Sequence, residues 1–309
     1  MGDMVISAWS GTEFRSVDDV VARVRALAAD GFDGVWVPQT FTVDTMTALA
    51  VAVHDVPDIA VGTAVVPIQG RHPIPLALQA LSVVSAGGPG RFTLGLGVTH
   101  RMVSEGFFGV PYDGVVGLCR ETLEVLDTLF SEARASNHEG THLTARGMVM
   151  TDAPAPGVVL AALAPRMLEV AGALSDGTVT WMTGPRTLRD IVVPTIGDAA
   201  ERAGRPAPRV IAGLPVCVTD DIAAARDAVR PRIEGASAYP SYQRQLAGEG
   251  LDDLADLAIV GDVDTVRARL AELADLGVTE LMADVFGTPD ERAATTDLLT
   301  GLARARRGA

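Results

Sequence analysis

The feature of this sequence that most constrains its fold is a joint that recurs along the chain. Gly31, Gly177 and Gly277 each end a helix pattern, and an apolar strand pattern follows within three residues. Glycine commonly ends helices because it adopts the left-handed backbone conformation without steric cost. The recurring joint predicts helices and strands in alternation, which is the pattern of a parallel sheet.

Eight strand patterns alternate with helix patterns along the 309 residues. The predicted strands cover residues 4–9, 34–38, 59–66, 91–97, 158–163, 178–182, 210–218 and 280–283. This order predicts an α/β fold, a (β/α)8 TIM barrel, which binds ligands at the carboxyl ends of its strands. An open doubly wound sheet is the alternative. We favour the barrel because no stretch marks a second domain, so residues 1–309 are predicted to form a single domain.

Two segments interrupt this repeat. Residues 132–150 are polar and contain His138 and His142, which predicts an excursion or hairpin on the surface. Residues 235–257 contain Tyr239-Pro240-Ser241-Tyr242 and predict an insertion near the end of the barrel. Long irregular insertions in compact domains often serve as lids. For the second segment, a lid and a surface elaboration or dimer contact are equally open.

The charge balance limits the partners that this chain can have. Its formal net charge is −14 and its pI is about 4.7. Nucleic acid and anionic membranes favour basic surfaces, so neither is an expected partner. All 25 basic residues are arginine. A phosphate or carboxylate site must therefore use arginine, hydroxyl or backbone N–H groups, and a lysine Schiff base is excluded.

Cysteine usage and hydropathy indicate the compartment. Cys119 and Cys217 are far apart in apolar runs, so we expect buried thiols rather than a disulfide framework. The N-terminus lacks the charged and apolar regions of a secretory leader. No apolar run approaches the roughly 18 residues of a membrane span. We therefore expect a soluble cytoplasmic protein.

The strand pattern 91–97 ends at Gly97 and is followed by Thr99 and His100, which is the layout of a site at a strand end. Gly95-Leu96-Gly97 invites a dinucleotide-binding interpretation. That fingerprint requires a third glycine where this chain has His100, so the interpretation is rejected. The glycines still permit close backbone approach to a ligand.

The remaining histidines do not predict a metal site. His138 and His142 have a spacing seen in metal sites, but no cysteine or carboxylate cluster accompanies them, so a solvated loop is favoured. His54 and His72 lie at a helix end and a turn, where a structural role is expected. No metal is predicted.

A strand end that runs into a helix lies at 163–168, with Pro165 in the first helical turn and Arg166 beside it. Free N–H groups at a helix N-terminus bind anions, and Arg166 adds a positive charge. An anion site and a capped helix with a surface arginine explain this stretch equally well.

Taken in order, 91–100, the strand 62–67, the block 161–185 and the closing segment Val260-Gly261-Asp262 with Arg267-Ala268-Arg269-Leu270 resemble the bacterial luciferase-like superfamily. The sequence is more similar to its branch of F420-dependent oxidoreductases. The resemblance covers nearly the whole chain. It implies a (β/α)8 barrel, usually a homodimer, that binds a deazaflavin at the carboxyl ends of the strands.

The resemblance also implies a non-prolyl cis peptide bond between Ala64 and Val65, which would form a backbone shelf against the deazaflavin ring. The phosphate-bearing tail would run towards 162–166 and 180–184. The cofactor-binding residues expected on this basis are Gln39, Thr63, Ala64, Val65, Gly97, Thr99, His100, Ala162, Leu163, Ala164, Pro165, Arg166, Thr180, Trp181, Thr183 and Gly184.

One departure from the family pattern bears on the reaction. The sugar-phosphate dehydrogenases of this branch carry a histidine base at the end of strand two, where this chain has Pro38-Gln39-Thr40-Phe41, and they hold phosphate with lysines. Sugar-phosphate oxidation is therefore not predicted. Hydride transfer from reduced F420 to a small, largely apolar substrate is the favoured function. Aromatic residues near the expected pocket support an apolar substrate, although they could equally form barrel core: Trp9, Phe41, Phe107, Phe108 and Trp181.

Two rival functions remain open on the sequence. An FMN-dependent monooxygenase is one, because FMN shares the ribityl-phosphate portion of F420. A cofactor-binding protein without turnover is the other, because His100 is the one obvious candidate for a catalytic acid or base. His100 could donate a proton to the substrate or bind the cofactor, and we favour binding.

Overall fold

The computed structural model describes residues 3–11, 14–237 and 239–308, so Met1, Gly2, Thr12, Glu13, Ala238 and Ala309 lie outside the described residues. The described strands are β1 (Val5–Trp9), β2 (Gly34–Val37), β3 (Ala60–Thr63), β4 (Val66–Pro67), β5 (Phe92–Gly97), β6 (Ala135–Glu139), β7 (Thr144–Met148), β8 (Gly157–Ala161), β9 (Gly177–Trp181), β10 (Arg209–Val218), β11 (Ile259–Gly261) and β12 (Glu280–Val285).

Helices follow the strands along the chain. They are α1 (Val17–Asp30), α2 (Thr45–Asp55), α3 (Pro73–Gly87), α4 (Val115–Phe130), α5 (Pro165–Leu174), α6 (Pro185–Thr187), α7 (Val193–Arg202), α8 (Ile222–Ser237), α9 (Pro240–Glu249), α10 (Val263–Asp275) and α11 (Pro289–Arg307). Short π-helical segments span Met102–Phe107 and Leu188–Val192. None of the described helices is long and apolar enough to cross a lipid bilayer.

The predicted (β/α)8 barrel is confirmed. Parallel pairing runs in the order β12, β1, β2, β3, β5, β8, β9 and β10, and β10 closes the ring by pairing with β12. β10 is long enough to pair with β9 at its start, β12 in its middle and β11 at its end. Because all these strands are parallel, their carboxyl ends meet at one face of the barrel.

Two apolar layers hold the barrel together. The larger lies between the strands and the surrounding helices. The smaller fills the barrel interior with Trp36, Val159, Val179, Ile211 and Met282. Parallel strands are buried on both faces, which explains why they appear in the sequence as continuous apolar runs rather than as alternating patterns.

The third predicted strand differs from the observed one. Instead of running through 59–66, it divides into β3 and β4, and the peptide bond between Ala64 and Val65, which lies between them, is cis. The cis bond itself confirms the expectation drawn from the family resemblance. β3 pairs with the start of β5 and β4 pairs with its end, so the third barrel position continues past the break.

The segments that interrupt the repeat have structure of their own. Within 132–150, β6 and β7 form an antiparallel hairpin. Within 235–257, the described residues include α9 and a 3-10 turn at Leu254–Leu257. Pro240 lies in the first turn of α9, where proline is tolerated, and Gly250 ends the helix in the left-handed conformation. Neither feature was recognised as a helix signal in the sequence.

Candidate functional site

A cavity of about 950 Å³ opens at the carboxyl ends of the barrel strands. It lies above the apolar layer in the barrel interior, because Ala64, Val65, Ala161 and Trp181 both pack on that layer and line the cavity. We call it the main cavity. Its size suits a flavin-like cofactor or a drug-sized ligand.

Close packing of β5 against β3 supports the Ala64–Val65 segment from beneath. The Thr63 hydroxyl donates a hydrogen bond to the Gly95 carbonyl and accepts one from the Gly95 N–H, both at 2.8 Å. A β-carbon at Gly95 would overlap the Thr63 carbonyl oxygen, and one at Gly97 would lie 2.7 Å from Val65 Cγ2. The two glycines are therefore needed for the close approach of β5 to the cis segment.

Two tryptophans form one apolar wall of the main cavity. Trp9 ends β1 and Trp181 ends β9, and their ring centroids are 5.0 Å apart at an interplanar angle of 35°. Both rings are half-buried and line the cavity. Such a pair provides a large flat apolar surface for a ring-shaped ligand.

Another part of the main cavity is suited to an anion. Arg166 lies in the first turn of α5 and lines the cavity, and α5 begins without a side-chain cap at Ala164. No carboxylate of the described residues lies within 4 Å of the Arg166 guanidinium. An uncapped helix N-terminus attracts negative charge through its free N–H groups and its dipole.

The insertion at 235–257 covers part of the main cavity. Ser241, Tyr242 and Arg244 line it from α9, and the Tyr239 ring stacks on His100 with centroids 3.6 Å apart and an interplanar angle of 1°. This contact joins the insertion to the loop that follows β5. Like Arg166, Arg244 has no carboxylate within 4 Å in the described part of the chain.

The far end of α9 is anchored by a buried carboxylate. Glu249 is 6% exposed and accepts hydrogen bonds from the backbone N–H groups of Arg186 and Thr187 and from the Thr187 hydroxyl, at 3.2, 2.7 and 2.6 Å. These groups form the N-terminus of α6. The Glu249 carboxylate, at the end of α9, thus occupies the N-terminus of α6, where free N–H groups attract negative charge.

Burial shifts the pKa of three ring side chains that line the main cavity. It lowers the pKa of His100, so the imidazole is neutral at pH 7. It raises the pKa of Tyr242 to about 12, and the neighbouring Tyr239 adds to the shift. It also raises the pKa of Tyr112, against the opposing effect of the Arg101 charge. Both tyrosines therefore keep their phenol protons at neutral pH.

Most of the residues predicted to bind cofactor lie together around the main cavity. Those that line it are Ala64, Val65, Thr99, His100, Ala162, Leu163, Ala164, Pro165, Arg166, Thr180 and Trp181. Their contact with a cofactor stays a prediction. The agreement has a simple cause, since they follow the ends of β3, β5, β8 and β9, which converge at one face of the barrel.

The other predicted residues lie outside this lining. Thr63 and Gly97 support the cis segment from β3 and β5. Gln39 closes the loop before α2, where its amide oxygen accepts from the Thr45 N–H at 2.9 Å. Thr183 is buried, and a β-carbon at Gly184 would overlap the Glu249 carboxylate. The positions of these five residues, outside the lining of the main cavity, add no support to the prediction that they bind the cofactor.

Several lining residues were not predicted. Tyr112 lies just before α4, Val115 and Val116 lie in its first turn, and Tyr242 and Arg244 come from α9. Pro240 followed by a helix pattern could have revealed α9, but the packing of α9 over the cavity depends on contacts distant in sequence. The tyrosine hydroxyls matter most, because neither forms a hydrogen bond with another described residue.

Three of the aromatic residues thought to flank the pocket form a separate cluster. Phe41, Phe107 and Phe108 are 68%, 61% and 42% exposed. The Phe41 ring centroid lies 5.5 Å from that of Phe107 and 6.4 Å from that of Phe108. None of them lines the main cavity, so of the five aromatic residues considered in the sequence only Trp9 and Trp181 contribute to its wall.

The two histidines of the β6–β7 hairpin, His138 and His142, lie beside the Glu121 carboxylate. His138 Nε2 lies 3.5 Å from Glu121 Oε2, and the same carboxylate accepts from the backbone N–H groups of Thr141, His142 and Leu143. Glu121 thus fixes the hairpin turn to α4. In the part of the chain that the structure describes, no group of three or more histidine, cysteine or acidic residues has the arrangement of a metal site.

Comparison with known proteins gives a consistent family match. The family model described as "Luciferase-like monooxygenase" matches residues 4–280. The 5,10-methylenetetrahydromethanopterin reductase of Methanolobus tindarius is 26% identical over 309 aligned positions, which cover 88% of this chain and 93% of that protein.

Solved structures with the same fold include enzymes named for either cofactor. An F420-dependent secondary alcohol dehydrogenase in complex with an F420–acetone adduct superposes with a TM-score of 0.82 and 17% identity, over 99% of both chains. The FMN complex of the 3,6-diketocamphane monooxygenase oxygenating constituent from Pseudomonas putida has a TM-score of 0.78 and 16% identity, over 98% of both chains. At these identities the structures agree in fold alone.

Proposed function

Because the chain belongs to the luciferase-like monooxygenase family, we propose that it is an F420-dependent oxidoreductase acting on a small, largely apolar organic substrate. The observation that carries this proposal is the combination, in one cavity of about 950 Å³, of the apolar Trp9–Trp181 wall and the unpaired Arg166 at the uncapped N-terminus of α5. A ring system with an anionic tail needs both surfaces at once. F420 and FMN each have this form.

F420 is the preferred cofactor because relatives similar in sequence include F420 enzymes, such as the F420-dependent hydroxymycolic acid dehydrogenase of Mycobacterium tuberculosis, which is 29% identical over 241 positions. Arg166 and the N–H groups of α5 would hold the phosphate. Arg244 would add positive charge from α9 where the tail leaves the cavity. The Ala64–Val65 segment and the tryptophan pair would hold the ring.

When bound in its reduced form, the deazaflavin supplies a hydride. The residues of the chain orient the substrate, exclude water and hold the proton that the substrate must receive after the hydride. Tyr242 is suited to this last task, since its phenol keeps its proton below pH 12 and forms no hydrogen bond with another described residue. His100 is neutral and stacked, so we propose that it hydrogen-bonds the cofactor rather than acting as the acid.

We propose further that residues 1–309 act as one unit, with 132–150 and 235–257 as insertions, and that the protein is a cytoplasmic homodimer. The family resemblance supports the dimer. The exposed side chains of Leu78, Met148 and Met150, on α3 and around β7, offer apolar surface that a second copy would cover. Light scattering would give the mass in solution, and a mass of one chain would contradict the dimer.

The cofactor assignment is tested by calorimetric titration of the cofactor-free protein with F420 and with FMN. We expect tighter binding of F420. Equal or reversed preference would favour the FMN-dependent monooxygenase instead. Turnover with reduced F420 over a panel of enones, imines and ketones tests catalysis, and tight F420 binding with no turnover on any of them would favour a non-catalytic cofactor-binding protein.

A further inference from the structure

A second cavity of about 480 Å³ lies beside the main cavity, at the carboxyl ends of β1 and β12. Its charged lining consists of Arg23 from α1, Arg232 from α8, Arg292 from α11 and Asp284 from β12. We call it the arginine cavity. It brings together three cationic side chains that are more than 50 residues apart in the sequence.

One of the three arginines is neutralised by a neighbour. Arg232 donates to Asp284 through Nη2 at 2.6 Å and Nε at 3.2 Å, so the pair carries no net charge. Asp284 is 4% exposed and fixes the position of the Arg232 fork. Two N–H groups directed at a carboxylate form the geometry in which arginine is bound most firmly.

The other two arginines have no such neighbour. Arg23 Nε donates to the Ser10 hydroxyl at 3.3 Å, and Arg292 Nη1 donates to the Gly287 carbonyl at 2.5 Å. Within the described residues, no carboxylate lies within 4 Å of either guanidinium. Asp30 and Asp297 line an adjoining surface recess with both arginines but form no ion pair with them. The polar lining of the arginine cavity therefore has two excess positive charges, in a chain of net charge −14.

The arginine cavity and the main cavity share an apolar wall. Trp9 and Trp181 line both of them, so a molecule resting on these rings has the main cavity on one side and the arginines on the other. The arginines come from the α1, α8 and α11 side of the barrel, whereas Arg166 belongs to α5. The two anion-binding positions are therefore distinct.

We propose that the arginine cavity binds the anionic group of the substrate, a carboxylate or a phosphate, while the apolar part of the substrate packs on Trp9 and Trp181. Arginine is suited to this role, since its planar fork matches the oxygens of both groups. The identity of the ligand as a substrate rests on the proposed function. The proposal narrows the substrate class from an apolar molecule to an apolar acid.

The test measures binding of three probes that share a phenyl ring, namely phenylacetate, phenyl phosphate and neutral methyl phenylacetate. Calorimetry gives the affinity, and quenching of tryptophan fluorescence reports contact with the Trp9–Trp181 wall. We expect at least one anion to bind about tenfold or more tightly than the ester, and its affinity to fall with added salt. The stronger of the two anions identifies carboxylate or phosphate as the preferred group.

Variants assign the binding to the arginine cavity. Arg292→Gln and Arg23→Gln should each weaken binding of the preferred anion by about tenfold and leave binding of the ester unchanged. Arg120→Gln removes an exposed arginine that lines neither cavity and should change nothing. Thermal midpoints show that the variants are folded. If one variant does not fold, the proposal is decided on the unaltered protein, by the ratio of its affinities for the anion and the ester and by the salt dependence of that ratio.

The outcomes separate this proposal from the cofactor assignment. Failure to bind F420, together with anion binding that depends on Arg292, would overturn the proposed function and support the arginine cavity. Normal F420 binding, together with anions that bind no more tightly than the ester or are insensitive to both substitutions, would overturn the arginine cavity. Arg166→Gln should lower F420 affinity without lowering phenylacetate affinity, and an equal loss of both would mean that the two anion positions are one.

Discussion

The amino and carboxyl ends of the barrel strands place charged side chains in different surroundings. At the amino ends, the Glu280 carboxylate is 5% exposed and accepts hydrogen bonds from the Ser7 hydroxyl, the Trp36 indole and the Arg209 guanidinium at 2.6, 2.6 and 2.7 Å. Arg209 also donates to the Thr93 hydroxyl at 3.1 Å. Each polar group here has a partner from another strand, so this end of the barrel is closed and held rigid.

At the carboxyl ends, by contrast, four arginines that line the two cavities lack an acidic partner within the described part of the chain. Arg166, Arg244, Arg23 and Arg292 have no carboxylate within 4 Å in the described residues. A chain with 39 acidic and 25 basic residues has ample carboxylates to pair them. Fully paired charges stabilise a fold, whereas unpaired ones at a cavity are available to a ligand. We call the amino ends of the strands the stabilising end of the barrel and the carboxyl ends the binding end.

The largest expected effect is at the stabilising end. Glu280→Ala removes the acceptor shared by three donors and leaves Arg209 beside a buried gap, which should reduce the free energy of unfolding by about 3–5 kcal/mol. Urea denaturation provides the measurement. Glu201→Gln, an exposed residue of α7, is the control and should change stability by less than about 0.5 kcal/mol. Equal effects of the two substitutions would show that the Glu280 network does not hold the barrel.

The next effect concerns the support of the cis segment. Gly95→Ala places a β-carbon against the Thr63 carbonyl oxygen, so β3 and β5 must separate. We expect a loss of about 1–3 kcal/mol in stability and weaker cofactor binding. Gly197→Ala is a matched control, because a β-carbon there meets open space within helix α7 and should stabilise the protein by up to about 1 kcal/mol. Unchanged cofactor affinity in Gly95→Ala would show that the Ala64–Val65 segment does not contribute to cofactor binding.

Substitution at the binding end should affect ligands and not stability. Arg166→Gln removes the charge beside the α5 N-terminus and should weaken F420 binding by about tenfold, with an unchanged thermal midpoint. Calorimetry and thermal denaturation measure the two quantities on the same samples. A lower thermal midpoint with normal F420 affinity would place Arg166 with the stabilising residues and contradict the comparison of the two ends.

His100 should have a smaller effect of the same kind. If His100→Ala loses one hydrogen bond to the cofactor, F420 affinity should fall by roughly 1 kcal/mol while turnover at saturating cofactor stays nearly constant. Removal of a general acid would instead lower turnover by about 10²–10⁴-fold. A collapse of turnover with unchanged affinity would make His100 the acid, and no change in either would leave it a structural residue.

The smallest effect is on pH dependence. Burial depresses the pKa of folded His100, so the unfolded chain takes up a proton first as the pH falls below the ordinary value of about 6.5. His100 therefore lowers stability on the acid side of that value and has no effect above it. Tyr239→Ala should expose the ring and raise the His100 pKa towards 6.5, as measured by an NMR titration. An unchanged pKa would mean that the stacked ring does not desolvate His100.

The sequence by itself determined the barrel, because each strand and helix pattern and each glycine joint depends on neighbours in the chain. Gly31 and Gly277 lie just beyond α1 and α10, as the local pattern predicts. The same pattern predicts that Gly177 ends a helix, but α5 ends at Leu174 and Gly177 is the first residue of β9. The residues that line the main cavity around Val65, His100 and Arg166 were also predictable, because the carboxyl ends of barrel strands converge and the family resemblance identifies the segments. The cis bond at Ala64–Val65 came from that resemblance, since no local propensity signals it.

The tertiary structure alone decided which side chains share a cavity. α9 contributes Tyr242 and Arg244 to the main cavity, and contacts distant in sequence hold it there, namely Glu249 on α6 and Tyr239 on His100. Gly184 is predicted to contact the cofactor, and the Glu249 carboxylate packs closely against it. The arginine cavity draws on α1, α8 and α11, which lie far apart in sequence. Local patterns carry no information about such contacts, because they depend on how distant elements pack once the barrel has closed.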